Sequence, residues 1–297
     1  MQAAAPTRSP HRRLPLPTSF GGVAAVSEGP GSWLMVWQFL FALATALVVA
    51  WAFDVAWGRG IQRAISALPS QGRVQNGALE WPDAKPQILH QGPFLAIVVD
   101  PAGLRENGLA TDVTFSLESD RLAIRSFLGW TTFAYPTDLR LSLTRVELSS
   151  IVAAWKTPFF LAFTLLTIVS LFVSWTLLSI AYGSVVWIGG TALGRPVPFR
   201  TARRLAGASL LPGCLLMASA IALYATRQLG LEGLLIALPL HIVLGWVYCA
   251  GAWTRLRGPS DAEASPAGNP FATLPEEPAA PSPRHPRTPA NPFQPQG

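Results

Sequence analysis

The chain has 297 residues, 50% of them hydrophobic and 13% charged, with a mean hydropathy of +0.35. A soluble domain carries about 25% charged residues. Half of that cannot cover a water-facing surface, and this apolar content excludes a fully disordered chain. The 22 Lys and Arg outnumber the 16 Asp and Glu by six. The excess lies in two short stretches: Arg8, Arg12 and Arg13 against Glu28, and Arg195, Arg200, Arg203 and Arg204. Both flank apolar runs, which is the positive-inside pattern of a membrane protein and excludes a nucleic-acid footprint.

Residues 1–32 read as a disordered, basic segment able to touch anionic lipid. The first apolar run, Leu34–Phe53, carries Trp33, Trp37, Trp51 and Trp57 around it and predicts a membrane span over 33–57. Ala50-Trp51-Ala52 resembles a cleavage site, but the run is too long for a signal peptide, so an uncleaved anchor is expected.

Residues 58–156 then read as an extracytoplasmic α+β domain. Trp57, Ile61, Ile65 and Leu68 predict an amphipathic helix ended by Pro69. A turn-rich stretch with Gly72, Asn76, Gly77 and Pro82 follows. In "FLAIVVD" the pattern becomes that of a buried strand ending at Asp100-Pro101. Val113, Phe115 and Leu117 alternate with polar residues, and Leu122 and Ile124 follow a Glu118–Asp120 turn, which predicts a hairpin. Leu139, Leu141 and Leu143 predict another strand. Thr144 precedes Glu147 by three, a capping-box spacing, so a helix is expected to start there and run into the second span.

That second span covers 157–188. No charge occurs between Lys156 and Arg195, so one tilted helix or two tight spans around Gly183 or Gly189 would fit. Two would carry four arginines to the other side, and one is expected. An Arg-rich cytoplasmic loop (189–205), a third span (206–226, with Pro212), a short external turn (227–233) and a fourth span (234–254, with Pro239) complete the membrane part. The fold class is therefore a four-span α-helical bundle with a small extracytoplasmic α+β domain inserted between spans 1 and 2. Both termini are placed in the cytoplasm of a bacterial inner membrane.

The order "NGALEWP", "FLAIVVDPAG", hairpin, strand and "TPFFLAFTLLTIVSLFV" resembles a bacterial family of multi-pass membrane proteins of unknown function encoded beside maltodextrin-utilisation genes. The likeness covers roughly residues 34–255. It implies a first span, an external β-rich domain with a conspicuous Asp, and several further spans. Gly77 and Leu79 would form the turn and Asp100 the conspicuous Asp. The family implies no known activity.

Three ionisable residues stand out as ligand or ion contacts. His241 lies inside the fourth span, where such a residue is a functional candidate by default. Asp54 lies at the outer end of the first span, within reach of Arg59 or Arg227. Asp100 ends the buried strand, where an Asx turn is the simpler reading. No catalytic constellation is present. The outer region holds one histidine, His90, and no cysteine, so zinc spacing is missing, and no phosphate loop occurs. Ser184 with His241 lacks the surrounding pattern of an intramembrane serine protease. Cys214 and Cys249 read as small buried hydrophobes.

The tail, 255–297, is Pro-rich and reads as disordered and cytoplasmic. Pro275, Pro278 and Pro281 recur every third residue, as do Pro283, Pro286, Pro289, Pro292 and Pro295, which lines one edge of a polyproline II helix. Asn269-Pro270-Phe271 recurs as Asn291-Pro292-Phe293, a candidate docking motif for a cytoplasmic partner. The expected function is non-enzymatic and cofactor-free. The outer domain senses or binds, the tail docks, and the protein serves as an accessory or scaffold subunit in the bilayer beside another membrane protein. The competing expectation is a small transporter or channel component with His241 and Asp54 near its path.

Overall fold

A computed structural model describes residues 15–103 and 110–256. Among the described residues, four helical stretches are long and apolar enough to cross a membrane: Gly31–Ser66, Arg145–Ala192, Phe199–Ala225 and Leu231–Trp253. A small strand domain lies between the first and second.

The chain is ordered earlier than the sequence suggests. Helix α1 (Phe20–Glu28) starts at Ser19, whose hydroxyl accepts from the Gly22 amide at 3.1 Å. Its Val23, Ala24 and Val26 are buried against Leu205, Ala208, Cys249 and Ala252. The disordered segment expected over 1–32 therefore does not hold for this stretch. Arg204, counted above only as a topogenic charge, donates to the Gly29 carbonyl at 3.1 Å and so satisfies the end of α1.

Helix α2 (Gly31–Phe53) continues through a π turn (Asp54–Gly58) into α3 (Arg59–Ser66). The chain thus leaves the apolar bundle without a break. Strands β1 (Arg73–Gln75) and β2 (Ala78–Glu80) form a hairpin around Asn76-Gly77, both with positive φ, as a two-residue type I′ turn requires. Strand β8 (Leu141–Ser142) joins β1 to give a three-stranded sheet. The second sheet has the order β3-β4-β5-β6-β7, built from β3 (Gln87–Gln91), β4 (Leu95–Val99), β5 (Val113–Leu117), β6 (Arg121–Ser126) and β7 (Gly129–Ala134). Strands β4 and β5 are parallel and the other pairs antiparallel. The predicted strand and hairpin are β4 and the β5–β6 pair; β3 and β7 were not anticipated. Ala64 of α3 seals the core with Val74, Leu79, Leu89, Val99 and Leu143.

Thr144 caps helix α4 (Arg145–Ala192), its hydroxyl accepting from the Glu147 amide at 3.4 Å. Helix α4 is one unbroken element of 48 residues, about 72 Å at 1.5 Å per residue, so the run beyond Lys156 is a single helix. Helix α5 (Phe199–Ala225) is the centre of the bundle, and Ala206, Gly207, Ala208, Ser209 and Gly213 on it are all buried. Small residues let neighbouring helices approach closely. A Cβ at Gly213 would meet the His241 carbonyl oxygen of α6 (Leu231–Trp253) at 2.5 Å. Cys214 and Cys249 are free and buried, and Cys214 Sγ lies 2.9 Å from Thr45 Oγ1. The outward faces are apolar: Leu161, Leu165, Leu166 and Val173 of α4 and Ile236, Leu240 and Val243 of α6 are exposed.

Candidate functional site: a cationic cavity at the junction

Three separate pieces of chain meet where the strand domain rests on the bundle. The first is the continuous helix Gly31–Ser66. Arg59 and Arg63 stand four apart on α3, and this spacing puts both on one face. The second is the β3–β4 connection, which carries His90, Gly92, Pro93, Phe94 and Leu95. The third is the turn between α5 and α6, with Ala225, Thr226 and Arg227. Together they line a cavity of about 280 Å³.

Among the described residues Arg59, Arg63, Arg227 and His90 line this cavity, and no Asp or Glu does. Among the described residues no ion pair is formed by Arg59, Arg63 or Arg227. His90 sits between two glycines. A Cβ on Gly60 would lie 2.9 Å from its Cδ2 and Nε2, and one on Gly92 would lie 3.0 Å from Nε2. Burial and then the positive charge of Arg63 hold the His90 imidazole below its ordinary pKa. Arg227 adopts φ +62°, a left-handed conformation normally given to glycine after a helix. Its guanidinium lies 5.9 Å from the centre of the Phe94 ring. The same corner is fastened by Tyr224, whose hydroxyl donates to Asp112 Oδ2 at 2.5 Å and whose ring is 4.9 Å from Phe94.

This arrangement can hold an anion. Pro93, Phe94, Val55 and Ala56 give it an apolar wall, while Arg59, Arg63 and Arg227 are exposed and stand at its open side. Among the described residues no group of His, Cys, Asp and Glu could hold a metal ion.

The residues singled out from sequence are not part of it. Asp54 pairs with Lys156, Nζ to Oδ1 at 3.2 Å, rather than with Arg59 or Arg227. The π turn explains this: Asp54, Trp57 and Ile61 face α4 across an apolar groove, while Val55, Ala56 and Arg59 face the cavity. A Cβ at Gly58 would lie 2.7 Å from Asp54 Oδ1 and would push that carboxylate aside. Asp100 is buried at 2% exposure at the far end of β4 from Leu95, and its carbonyl accepts from the Gly103 amide at 3.1 Å. His241 lies on α6 facing α5, with its Nδ1 buried and without a hydrogen-bond partner. Asn269, Pro270, Phe271, Asn291, Pro292 and Phe293 fall outside the described residues. The structure thus brings none of Asp54, Asp100 and His241 together. The cavity residues escaped sequence reading because their charges lie far apart along the chain and vanish in a balanced tally. The one local signal was the Arg59/Arg63 spacing on an amphipathic helix.

No family model matches the chain, and no curated protein and no solved structure is significantly similar to it.

Proposed function

We propose that this chain is a non-enzymatic multi-pass protein of the bacterial inner membrane whose extracytoplasmic domain binds an anionic ligand in the junction cavity. The observation that carries the reading is the convergence of Arg59, Arg63 and Arg227, with His90, on one cavity that no Asp or Glu among the described residues lines. The four apolar helices cross the bilayer in this reading. The arginines of 189–205 support a topology with that loop, the N-terminus and the tail in the cytoplasm and residues 58–156 outside. The first helical segment supports a sensing role: α2 and α3 are continuous through the π turn and α3 lines the cavity, so in this reading a displacement there is carried into the first span.

The tail would carry the output to a cytoplasmic partner through its two Asn-Pro-Phe motifs, as an accessory or scaffold subunit does. Membership of the family encoded beside maltodextrin-utilisation genes belongs to the same proposal and rests on the short motifs over 34–255.

The test is titration of the full chain in nanodiscs with inorganic phosphate and pyrophosphate, read by thermal stability. A rise in Tm that Arg59→Gln and Arg63→Gln each reduce at least tenfold in apparent affinity supports the reading. An equal rise in those variants rejects the cavity. Cross-linking of full-length protein against a chain ending at Gly258 tests the tail: specific partners should disappear with it. The transporter reading keeps one observation, the unpartnered Nδ1 of His241. It requires transport lost in His241→Ala with partners retained.

A further inference from the structure

The β6–β7 turn combines features that nothing in the ligand reading uses. Its residues Phe127, Leu128 and Trp130 are 55%, 80% and 75% exposed. Gly129, at φ +123°, lets the chain reverse there, and the Ser126 hydroxyl accepts from the Leu128 amide at 3.2 Å. From Ser126 to Pro136 the chain carries no charged residue. Lone exposed apolar residues are ordinary; three large ones within four positions on a hairpin tip are a surface that water does not favour.

Register fixes the direction in which this tip points. Leu95 pairs with Val113, and Val113 pairs with Ser126, so the starts of β4 and β5 and the end of β6 lie at one end of the sheet. That is the end seated on the bundle. Asp112, next to Val113, accepts from Tyr224 on the last turn of α5, and Phe94, next to Leu95, packs on the same Tyr224 ring. Phe115 of β5 in turn meets Trp57 in the π turn, with ring centres 6.0 Å apart. Ser126 is one strand away from Val113, about 4.8 Å to the side. Residues 127–128 extend beyond it in the direction of the bundle. The tip therefore sits level with the ends of α2 and α5, where the apolar surfaces of these helices stop.

We propose that Phe127, Leu128 and Trp130 insert into the headgroup–acyl boundary of the outer lipid leaflet, making the hairpin a second, non-helical foothold of the domain on the bilayer. The proposal rests on the reading that the four helices cross that bilayer. The chemistry matches the boundary: a tryptophan with an amphipathic ring and two apolar neighbours, while Arg125, opposite Trp130, pairs with Glu118 at 3.5 Å. β7 is the edge strand of its sheet, so its outer row of backbone groups has no strand partner; the foothold therefore stops at the headgroup boundary, where water still reaches those groups.

The experiment uses the full chain in vesicles of phosphatidylcholine and phosphatidylglycerol, with single added cysteines carrying an environment-sensitive fluorophore. Leu128→Cys reports on the tip and Ser119→Cys on the opposite end of the same strands. Leu165→Cys, on the exposed face of α4, reports on the spans. The expected result is strong quenching by spin-labelled lipid at 165 and 128, with iodide quenching at 128 at least threefold weaker than at 119. Lipid quenching at 165 with full iodide access at 128 overturns the proposal alone. Absence of lipid quenching at 165 as well overturns the membrane reading beneath it. Shielding of 128 from both quenchers, with cross-linking between two copies at 128, replaces lipid by a second copy of the chain and also overturns it.

Discussion

His90 shows how far a single residue's behaviour is set by neighbours from other elements. Arg59 and Arg63 of α3 and Arg227 of the α5–α6 turn line the same cavity, and Gly60 and Gly92 lie against the His90 ring. Burial, and Arg63 next, lower its pKa from the ordinary 6.5. The folded protein therefore takes up this proton less readily than the unfolded chain. The contribution of a neutral His90 to stability is complete above pH 6.5 and is lost as pH falls through the lowered value. His90→Gln, which cannot charge, should flatten the fall in unfolding temperature between pH 7 and pH 5, measured in parallel with wild type. Identical profiles would show that this imidazole is not what the acid side titrates. An anion in the cavity acts in the opposite direction and favours the charged ring, so proton uptake should accompany binding near neutral pH.

At the scale of elements, the contact between α5 and α6 is the tightest between helices. The Gly213 position faces the His241 carbonyl, a backbone atom that cannot rotate away. Gly213→Ala should destabilise the folded state by about 1–3 kcal/mol through overpacking. Gly189→Ala in α4, where nothing lies within 4 Å, should instead stabilise by up to about 1 kcal/mol through helix propensity. Unfolding of both variants in the same detergent is the comparison. If the two behave alike, the helices are less closely packed than this geometry states. The apolar helices, β4 and the β5–β6 hairpin were legible in the sequence because each imposes its period on enough consecutive residues to be read. Others were not. "QILHQ" of β3 and "GWTTFA" of β7 carry no clean alternation, β7 because most of it stays exposed. Nine-residue α1 begins with two glycines after Phe20, and its burial is supplied by Leu205, Ala208 and Cys249, far along the chain. The cavity was illegible for the same reason: its cations come from three segments that only tertiary structure brings together.

Taken whole, the molecule is held at both faces of the bundle. At one face the domain is fastened through Tyr224, Phe94 and the Asp54–Lys156 pair. At the other, α1 closes against α5 and α6, where Val26 is fully buried. Val26→Asp would place an uncompensated charge there, at a cost of about 3–5 kcal/mol. Recovery of monodisperse protein should fall sharply, whereas Val146→Asp, at 76% exposure, should leave it unchanged. Equal recovery of both would mean that α1 is not seated as described. The α1 contact also has a meaning in time. The Tyr248 hydroxyl donates to the Thr18 carbonyl across 230 positions of sequence, and the Phe20 ring packs edge-on against Tyr248. Translation delivers α1 before α5 and α6, so Val23 and Val26 have no seat until Leu205 and Ala208 emerge, and no complete one until Cys249 and Ala252 follow. Docking of α1 is therefore a late folding event although its residues are made early.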